Sequence, residues 1–424
     1  MMVKVGRSEV RGTVAAPPSK SVTHRALACS ALAHGRSRVH SPLISDDILA
    51  TRRVLEKLGV RITEDDDSWV VRGGEFEKPA SALCCGESGT TLRFTTALCS
   101  LVDGESEVTG GASLSRRPIE PLLDGLRQLG VDCEGTNGLP PVIVRGNGRI
   151  RGGEAIIPGD VSSQFVSALL LVAPLAEKTT NLGLSTPLES KPYVSMTMDV
   201  QKSFGVDVEA SEDMRSYQIE RQTYRPTEME VEGDWSSAAY MLAAGALGGE
   251  VTVGNLNWRS RQADRAIVEI LDAMGAMVHH RKDTVSVHKT DLQGVELDLT
   301  DTPDLFPVVA ALSVAAKGRS VLRGLGRLRF KESDRLGAMV EGLGRAGANA
   351  AREGDSLVIE GGKPTVCVID PRKDHRIAMA FAVLGLVAEG GIAILDAGSV
   401  SKSYPEFWHD LETIRAEVGR VVDG

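Results

Sequence analysis

Apolar and polar positions follow a helical rhythm along the chain that breaks at regular intervals. An amphipathic helix repeatedly ends in an apolar residue, then Gly, then a β-branched or small residue. The phrase occurs as Leu58-Gly59-Val60, Leu129-Gly130-Val131, Phe204-Gly205-Val206, Met274-Gly275-Ala276, Ala346-Gly347-Ala348 and, more weakly, Val418-Gly419-Arg420. Successive glycines lie 71, 75, 70, 72 and 72 residues apart. Gly suits the left-handed C′ position that closes a helix before a strand. A second phrase runs in step with the first. Ala-rich helices, apolar almost all round, end near Gly35, Gly104, Lys178, Gly248, Gly318 and Gly390, each followed by a short β-branched strand. A helix with no polar face is buried on every side. Each unit therefore predicts a buried helix, a strand, an amphipathic helix and two short strands, such as Arg61–Glu64 and Trp69–Val71. Recurrence at a fixed period marks a repeat architecture.

The sixth unit stops after its amphipathic helix, while the N-terminal segment offers two spare strands, Val3–Val5 and Gly12–Ala15. Pairing that segment with units four to six closes the count. The expectation is an α/β protein of two lobes, residues 1–17 with 233–424 (units four to six) and an inserted lobe 18–232 (units one to three), with chain crossings near Pro17-Pro18 and Glu232-Gly233. Aromatics at 4% and 45 glycines in 424 residues fit cores of Ala, Leu and Val with tight stops. The balance of 42% hydrophobic and 25% charged residues excludes wholesale disorder.

Charge and motifs narrow the function classes. A net charge of −9 argues against a nucleic-acid or membrane-surface partner. The longest apolar stretch, Phe165 to Ala176, is too short to span a bilayer. The start, Met1-Met2-Val3-Lys4-Val5, reads as strand rather than leader, and the six cysteines (Cys29, Cys84, Cys85, Cys99, Cys133 and Cys367) contain no CxxC pair. They read as reduced core residues, which sets the expectation of a cytoplasmic protein. The eight histidines include no HExxH, so no metal is expected. The run Gly86 to Thr91 lacks the Lys of a P-loop, and Gly324-Leu325-Gly326 lacks the third Gly of a dinucleotide fingerprint. Neither ATP nor NAD has support, and no cofactor is expected.

The chemistry gathers where the buried helices begin. The six starts read Ser19-Lys20-Ser21-Val22-Thr23-His24-Arg25, Glu87-Ser88-Gly89-Thr90-Thr91-Leu92-Arg93, Ser162-Ser163-Gln164, Asp234-Trp235-Ser236-Ser237, Thr302-Pro303-Asp304 and Asp374-His375-Arg376. Capping explains one Ser, Thr or Asp per helix. It does not explain Lys20, Arg25, Arg93 and Arg376, because cations oppose the positive end of the helix dipole. Basic groups, hydroxyls and free N–H groups together make an anion site. More basic sequence precedes the amphipathic helices, in Ser115-Arg116-Arg117-Pro118, Glu189-Ser190-Lys191-Pro192-Tyr193 and Ser401-Lys402-Ser403-Tyr404-Pro405. Lys331-Glu332-Ser333-Asp334-Arg335 reads as the opening of the fifth such helix, with Lys331 and Arg335 on one face and Glu332 pointing elsewhere.

Taken together, Pro18-Ser19-Lys20-Ser21 with Arg25, Gly86-x-Ser88-Gly89-Thr90-Thr91-x-Arg93, Ser162-Ser163-Gln164-Phe165, Lys331-Glu332-Ser333-Asp334-Arg335 and Asp374-His375-Arg376 resemble the EPSP synthase (3-phosphoshikimate 1-carboxyvinyltransferase) family of enolpyruvyl transferases, from about Arg11 to about Leu411. The resemblance implies a two-lobed inside-out α/β barrel, three βαβαββ units per lobe, closing on substrate. It implies transfer of the enolpyruvyl group of phosphoenolpyruvate to the 5-hydroxyl of shikimate 3-phosphate, with release of phosphate, on the path to chorismate. By the family pattern, Lys20, Ser21, Arg25, Ser162, Ser163, Gln164, Ser190, Tyr193, Asp304 and Lys331 hold shikimate 3-phosphate. Lys20, Gly89, Arg117, Gln164, Arg335, Arg376 and Lys402 hold phosphoenolpyruvate. Asp304 is then the base on the 5-hydroxyl, with an ordinary N-cap as its plain alternative. Glu332 exchanges the proton at the methylene carbon, and Lys20 meets developing charge. The partners expected are these anionic small molecules, with no nucleic acid and no membrane, and the chain is expected to act as a monomer.

Two positions depart from the family pattern. Glu87 stands where many members carry Asn, and is expected to turn away from the anion or to pair with an Arg such as Arg93. Arg327 also replaces an Asn and is given no role. His24 and Arg116 stay unassigned. The sister enzymes acting on UDP-N-acetylglucosamine carry a reactive Cys where this chain has Ala112, and Lys-Asn where it has Lys20-Ser21. The RNA 3′-phosphate cyclase architecture, a rival of another class, is opposed by the net charge and by the absence of its nucleotidylated His motif. A binding protein without catalysis is disfavoured because Lys20, Asp304 and Glu332 are all retained.

Overall fold

A computed structural model describes residues 1–421. In chain order its α-helices are α1 (Lys20–Leu32), α2 (Asp46–Lys57), α3 (Gly89–Leu98), α4 (Glu120–Gln128), α5 (Ser163–Val172), α6 (Lys191–Ser203), α7 (Trp235–Gly248), α8 (Ile267–Ala273), α9 (Phe306–Ala315), α10 (Arg335–Arg345), α11 (His375–Gly385) and α12 (Phe407–Thr413). The odd-numbered helices are the buried ones. Every residue of α11, and all but Ala315 of α9, is buried. The even-numbered helices keep a polar face: α4 buries Leu122, Leu123, Gly125 and Leu126 and leaves Asp124 and Gln128 in solvent.

Two compact units form, Met1–Pro17 with the chain from Glu232 onward, and Pro18–Val231. Each has its own core. In the first, α7, α9 and α11 pack on one another; in the second, α3 lies against both α1 and α5. Burial of a Leu or Phe side chain contributes about 1.5–3 kcal/mol, which is why helices with no polar face are stable only inside such a cluster.

Six four-stranded sheets share one order. In four of them the strand before a buried helix pairs in parallel with the strand after it, and in each an antiparallel pair completes the sheet. Leu83–Cys84, Asp103–Thr109, Leu139–Asn147 and Asp132–Thr136 illustrate this sequence of neighbours. The two chain crossings exchange a strand. Val10–Ala15 precedes α1 yet pairs with Gly249–Gly254 after α7, and Glu228–Glu230 precedes α7 yet pairs with Gly35–His40 after α1.

The last unit differs from expectation. It has one closing strand of its own, Val418–Val421, and Met2–Val5 lies between that strand and Glu389–Ile394. Thus Gly419 sits inside a strand, and α12 ends earlier, with Arg415 as its left-handed residue at φ 69°. The other five glycines behave as C′ residues, with φ from 77° at Gly347 to 91° at Gly59. All six cysteines are free thiols. Cys29, Cys85, Cys99 and Cys133 are buried, but Cys84 is exposed and Cys367 half-buried, because alternate residues of a strand face outward. Among the described residues no helix is long and apolar enough to cross a membrane.

Candidate active site

The repeat brings distant polar residues together. Within a unit, the start of the buried helix and the start of the next amphipathic helix lie side by side, linked by side chains about one strand and one loop apart in sequence. Lys20 meets Asp47 across 27 residues, Ser236 meets Asp264 across 28, Lys402 meets the Lys373 carbonyl across 29, and Asp304 meets Arg335 across 31. Cations that would oppose a helix dipole are thereby supplied with oxygen partners.

In the unit Pro18–Val231, Ser19 caps α1 by accepting from the Val22 N–H, and Lys20 follows with its Nζ 3.1 Å from Asp47 Oδ2. Arg25 is buried one turn further on. Its Nε donates to Thr197 Oγ1 at 2.8 Å, Nη1 to the Ser21 carbonyl at 2.8 Å and Nη2 to the Tyr193 carbonyl at 2.9 Å. Burial lowers its pKa to about 10. Those bonds join α1 to the start of α6, where Ser190 is held in the left-handed conformation at φ 55°. Ser162 caps α5 through the Gln164 N–H, and the Gln164 amide donates to Thr90 Oγ1 at 3.0 Å. Over the start of α3, a methyl carbon at Gly89 would lie 2.5 Å from Arg93 Nη1, 3.0 Å from Arg117 Nη1 and 3.5 Å from Gln164 Oε1. The structure thus gathers Gly89, Arg117 and Gln164, and adds Arg93. His24 is structural: Nδ1 lies 2.8 Å from Thr51 Oγ1, and burial, then Lys20 and Arg25, hold its pKa well below the usual range.

In the other unit Asp304 is the hub. Its Oδ1 accepts from Arg335 Nη1 at 2.9 Å and lies 3.6 Å from Lys331 Nζ, while Oδ2 accepts from Arg376 Nη2 at 2.9 Å. Burial pushes the Asp304 carboxyl upward, but Arg376, Lys331 and Arg335 outweigh it and hold the pKa well below the carboxylate range. Asp304 does not cap α9, whose N-cap is Leu305 without a side-chain bond, so the capping alternative fails. Arg335, buried, also binds Asp374 Oδ2 at 2.9 Å and Glu332 Oε2 at 2.5 Å. Burial opposes its charge, and Asp374, Glu332 and Asp304 more than restore it. Desolvation lowers Lys331 below the ordinary lysine range, against the pull of Asp304.

The expected helical face for Lys331 and Arg335 is not formed. Asp334 caps α10 by accepting from the Gly337 N–H, so the helix starts at Arg335 and Lys331 is extended. The two cations meet at Asp304 instead, and Glu332 turns toward Arg335 rather than away. Glu87 turns to backbone, its Oε2 accepting from the Leu114 N–H at 3.0 Å and Oε1 from the Ser113 N–H at 3.4 Å; it does not pair with Arg93, which donates to the Pro118 carbonyl at 3.3 Å. Arg327 donates to the Thr300 carbonyl. Asp47 and Asp264 carry no motif in the sequence, and Asp374 stands there only as part of the start Asp374-His375-Arg376, without a role of its own. Their one signal is position, at helix starts or about 28 residues beyond one.

A six-unit α/β fold with lysines, arginines and carboxylates gathered at helix starts defines an enzyme that handles small anions by acid–base chemistry, the class of the enolpyruvyl transferases. The family profile described as EPSP synthase (3-phosphoshikimate 1-carboxyvinyltransferase) matches residues 5–411. The chain is 42% identical over 426 residues to the 3-phosphoshikimate 1-carboxyvinyltransferase of Dehalococcoides mccartyi, and 41% identical over 425 residues to that of Methanocorpusculum labreanum, each alignment covering 99% of both chains. The solved EPSP synthase of Acinetobacter baumannii superposes with a TM-score of 0.82 at 29% identity, covering 99% of this chain and 100% of that one. The chain belongs to the EPSP synthase family and is an enolpyruvyl transferase of the shikimate pathway.

Proposed function

We propose that the chain transfers the enolpyruvyl group of phosphoenolpyruvate to the 5-hydroxyl of shikimate 3-phosphate, with Asp304, Glu332 and Lys20 as its catalytic groups. The observation that carries the assignment is the position of Asp304, whose two oxygens are each held by a buried arginine. Those arginines, Arg335 and Arg376, are the groups assigned to phosphoenolpyruvate together with Lys20, Gly89, Arg117, Gln164 and Lys402. An incoming phosphate or carboxylate competes with Asp304 for them. As the arginines turn to the ligand, the Asp304 pKa rises toward the range in which a carboxylate can take a hydroxyl proton.

The 5-oxygen attacks C2 of phosphoenolpyruvate while Asp304 takes its proton, and Glu332, in its protonated form, delivers a proton to the methylene carbon. Glu332 then takes a proton back from that methyl carbon, the C2–O bond to phosphate breaks, and phosphate leaves with the proton that Asp304 took, so both carboxyls return to their starting states. The Arg335 guanidinium, 2.5 Å from Glu332, orients that carboxyl. Lys20, with Lys331 beside Asp304, meets the negative charge that builds on the oxygens. Ser21, Arg25, Ser162, Ser163, Gln164, Ser190 and Tyr193 hold shikimate 3-phosphate with Lys20, Asp304 and Lys331. Arg25 supports this most directly, since its three bonds go to uncharged oxygens and leave its positive charge for a phosphate.

The same reading places the protein in the cytoplasm as a monomer. Six free thiols fit a reducing compartment, and sedimentation of the purified protein measures the oligomeric state. A coupled assay tests the function. Phosphate release from phosphoenolpyruvate that requires shikimate 3-phosphate supports it; release with UDP-N-acetylglucosamine instead, or with neither acceptor, rejects it.

A further inference from the structure

Glu87 lies two residues before the α3 start, with its carboxylate on the backbone of a different segment. It accepts from the N–H groups of Leu114 and Ser113, the first of which opens the 3₁₀ turn Leu114–Arg116. Arg117 follows that turn directly. Leu114 itself is fully buried, which fixes one side of the turn. The loop is clipped to the same place by backbone: the Gly111 N–H donates to the Gly86 carbonyl at 2.6 Å, and the Ser115 N–H donates to the Gly111 carbonyl at 2.9 Å. A Cβ at Gly111 would lie 2.3 Å from Glu87 Oε1, so the carboxylate packs directly against that glycine. Arg117, buried, reaches back with Nη2 3.5 Å from Ser113 Oγ and Nη1 over Gly89.

We propose that Glu87 is a positioning residue for phosphoenolpyruvate: by capping the turn at 113–116 with its carboxylate, it sets Arg117 over the start of α3. A carboxylate near an anion site would by charge alone weaken binding. Spent on two backbone N–H groups, it instead fixes where a cation stands. The inference rests on the assignment of Arg117 to phosphoenolpyruvate made above.

The test is a double-mutant cycle on the full-length enzyme with Glu87→Ala, Arg117→Ala and the pair. KM for phosphoenolpyruvate and kcat are measured at saturating shikimate 3-phosphate, with binding of shikimate 3-phosphate measured by calorimetry. Glu87→Ala is expected to raise KM for phosphoenolpyruvate about tenfold, as loss of a charge-assisted acceptor does, with kcat changed less than threefold (about) and shikimate 3-phosphate affinity unchanged. In the Arg117→Ala background the same change is expected to add about twofold or less, because residues acting as one unit are not additive. Full, independent effects in the pair overturn the proposal. Glu87→Gln covers the case in which the alanine variant does not fold. It keeps one acceptor and removes the charge, so a lower KM would show that the carboxylate only repels the ligand, and would likewise overturn it. If Arg117→Ala alone leaves KM unchanged, the assignment of Arg117 fails, whatever Glu87 does.

Discussion

Replacing Asp304 with Asn separates its two roles. Both oxygens of Asp304 are occupied at 2.9 Å by Arg335 and Arg376, and its side chain is only 17% exposed. Each such charge-assisted bond contributes about 1.5–3 kcal/mol, and unit charges 4 Å apart attract by about 4 kcal/mol at an effective dielectric of 20. Phosphoenolpyruvate must recover that interaction from the same guanidiniums before it gains anything. Asn keeps one oxygen and the shape but removes the competing charge. We therefore expect Asp304→Asn to bind phosphoenolpyruvate more tightly by about 1–2 kcal/mol, roughly 5–30-fold, while kcat falls by about 10²–10⁴ for loss of a general base. The assay is equilibrium binding of phosphoenolpyruvate to the variant in the presence of shikimate 3-phosphate, set beside phosphate release. Weaker binding in Asp304→Asn would mean that Asp304 organises the arginines rather than competing with their ligand. A kcat within threefold of the parent would remove Asp304 as the base.

Asp264 gives a pH signature. Burial, then the neighbouring Asp304 charge, raises its pKa to about 7, so between pH ~4 and ~7 the folded protein holds a proton the unfolded chain has shed. Stability from this group falls as pH rises through that window, by up to about 1.4 kcal/mol per pH unit, and levels off above it. The urea midpoint of Asp264→Asn should gain on the parent from pH 5 to pH 7 and stay ahead at pH 8; a gap independent of pH contradicts the assignment. Asp374→Asn keeps an acceptor for the Arg376 N–H but leaves buried Arg335 short of one carboxylate. It should lose about 3 kcal/mol in urea unfolding, and a loss below about 1 kcal/mol would show that Asp304 and Glu332 suffice. Gly89→Ala places a methyl against Arg93 and Arg117 and should raise KM for phosphoenolpyruvate about tenfold or more with little change in melting temperature; an unchanged KM would mean that ligand does not approach α3 there.

The repeat could be read from one dimension because its markers are local. A Gly in the left-handed region ends five amphipathic helices, and the buried helices announce themselves by lacking a polar face. Features set by competition between local partners or by long-range contacts leave no such marker. The Lys331–Arg335 segment has helical spacing, yet Asp334 captures the Gly337 N–H and starts the helix four residues late. Gly419 repeats the spacing but pairs with Lys4, whose place beside the last strand only long-range register decides. The pairing of the N-terminal segment with units four to six is legible from the unit count, but the reciprocal place of Glu228–Glu230 beside Gly35–His40 rests on long-range register. Asp47 and Asp264 read as ordinary acidic helix starts. Their meaning comes from a partner 27 or 28 residues away that only the packed unit supplies.

A chain of net charge −9 handles two polyanions by keeping its cations in two different conditions. Arg335 sits among three carboxylates, Asp304, Glu332 and Asp374, so its charge is balanced before any ligand arrives. An anion entering there exchanges with a carboxylate, and the carboxylate it displaces is the proposed base. Binding and activation are then coupled, because Arg376, Lys331 and Arg335 together hold the pKa of Asp304 down, and an anion that draws the two arginines away weakens that hold. Arg25 is the opposite case. It is buried against three neutral oxygens, and burial alone has lowered its pKa, a sign that its charge is poorly solvated. An anion placed beside it removes a penalty already present and displaces nothing. The first arrangement favours a switch and the second an anchor. That is the division of labour a two-substrate transferase needs when one substrate has to be held still and the other has to turn on the base that attacks it.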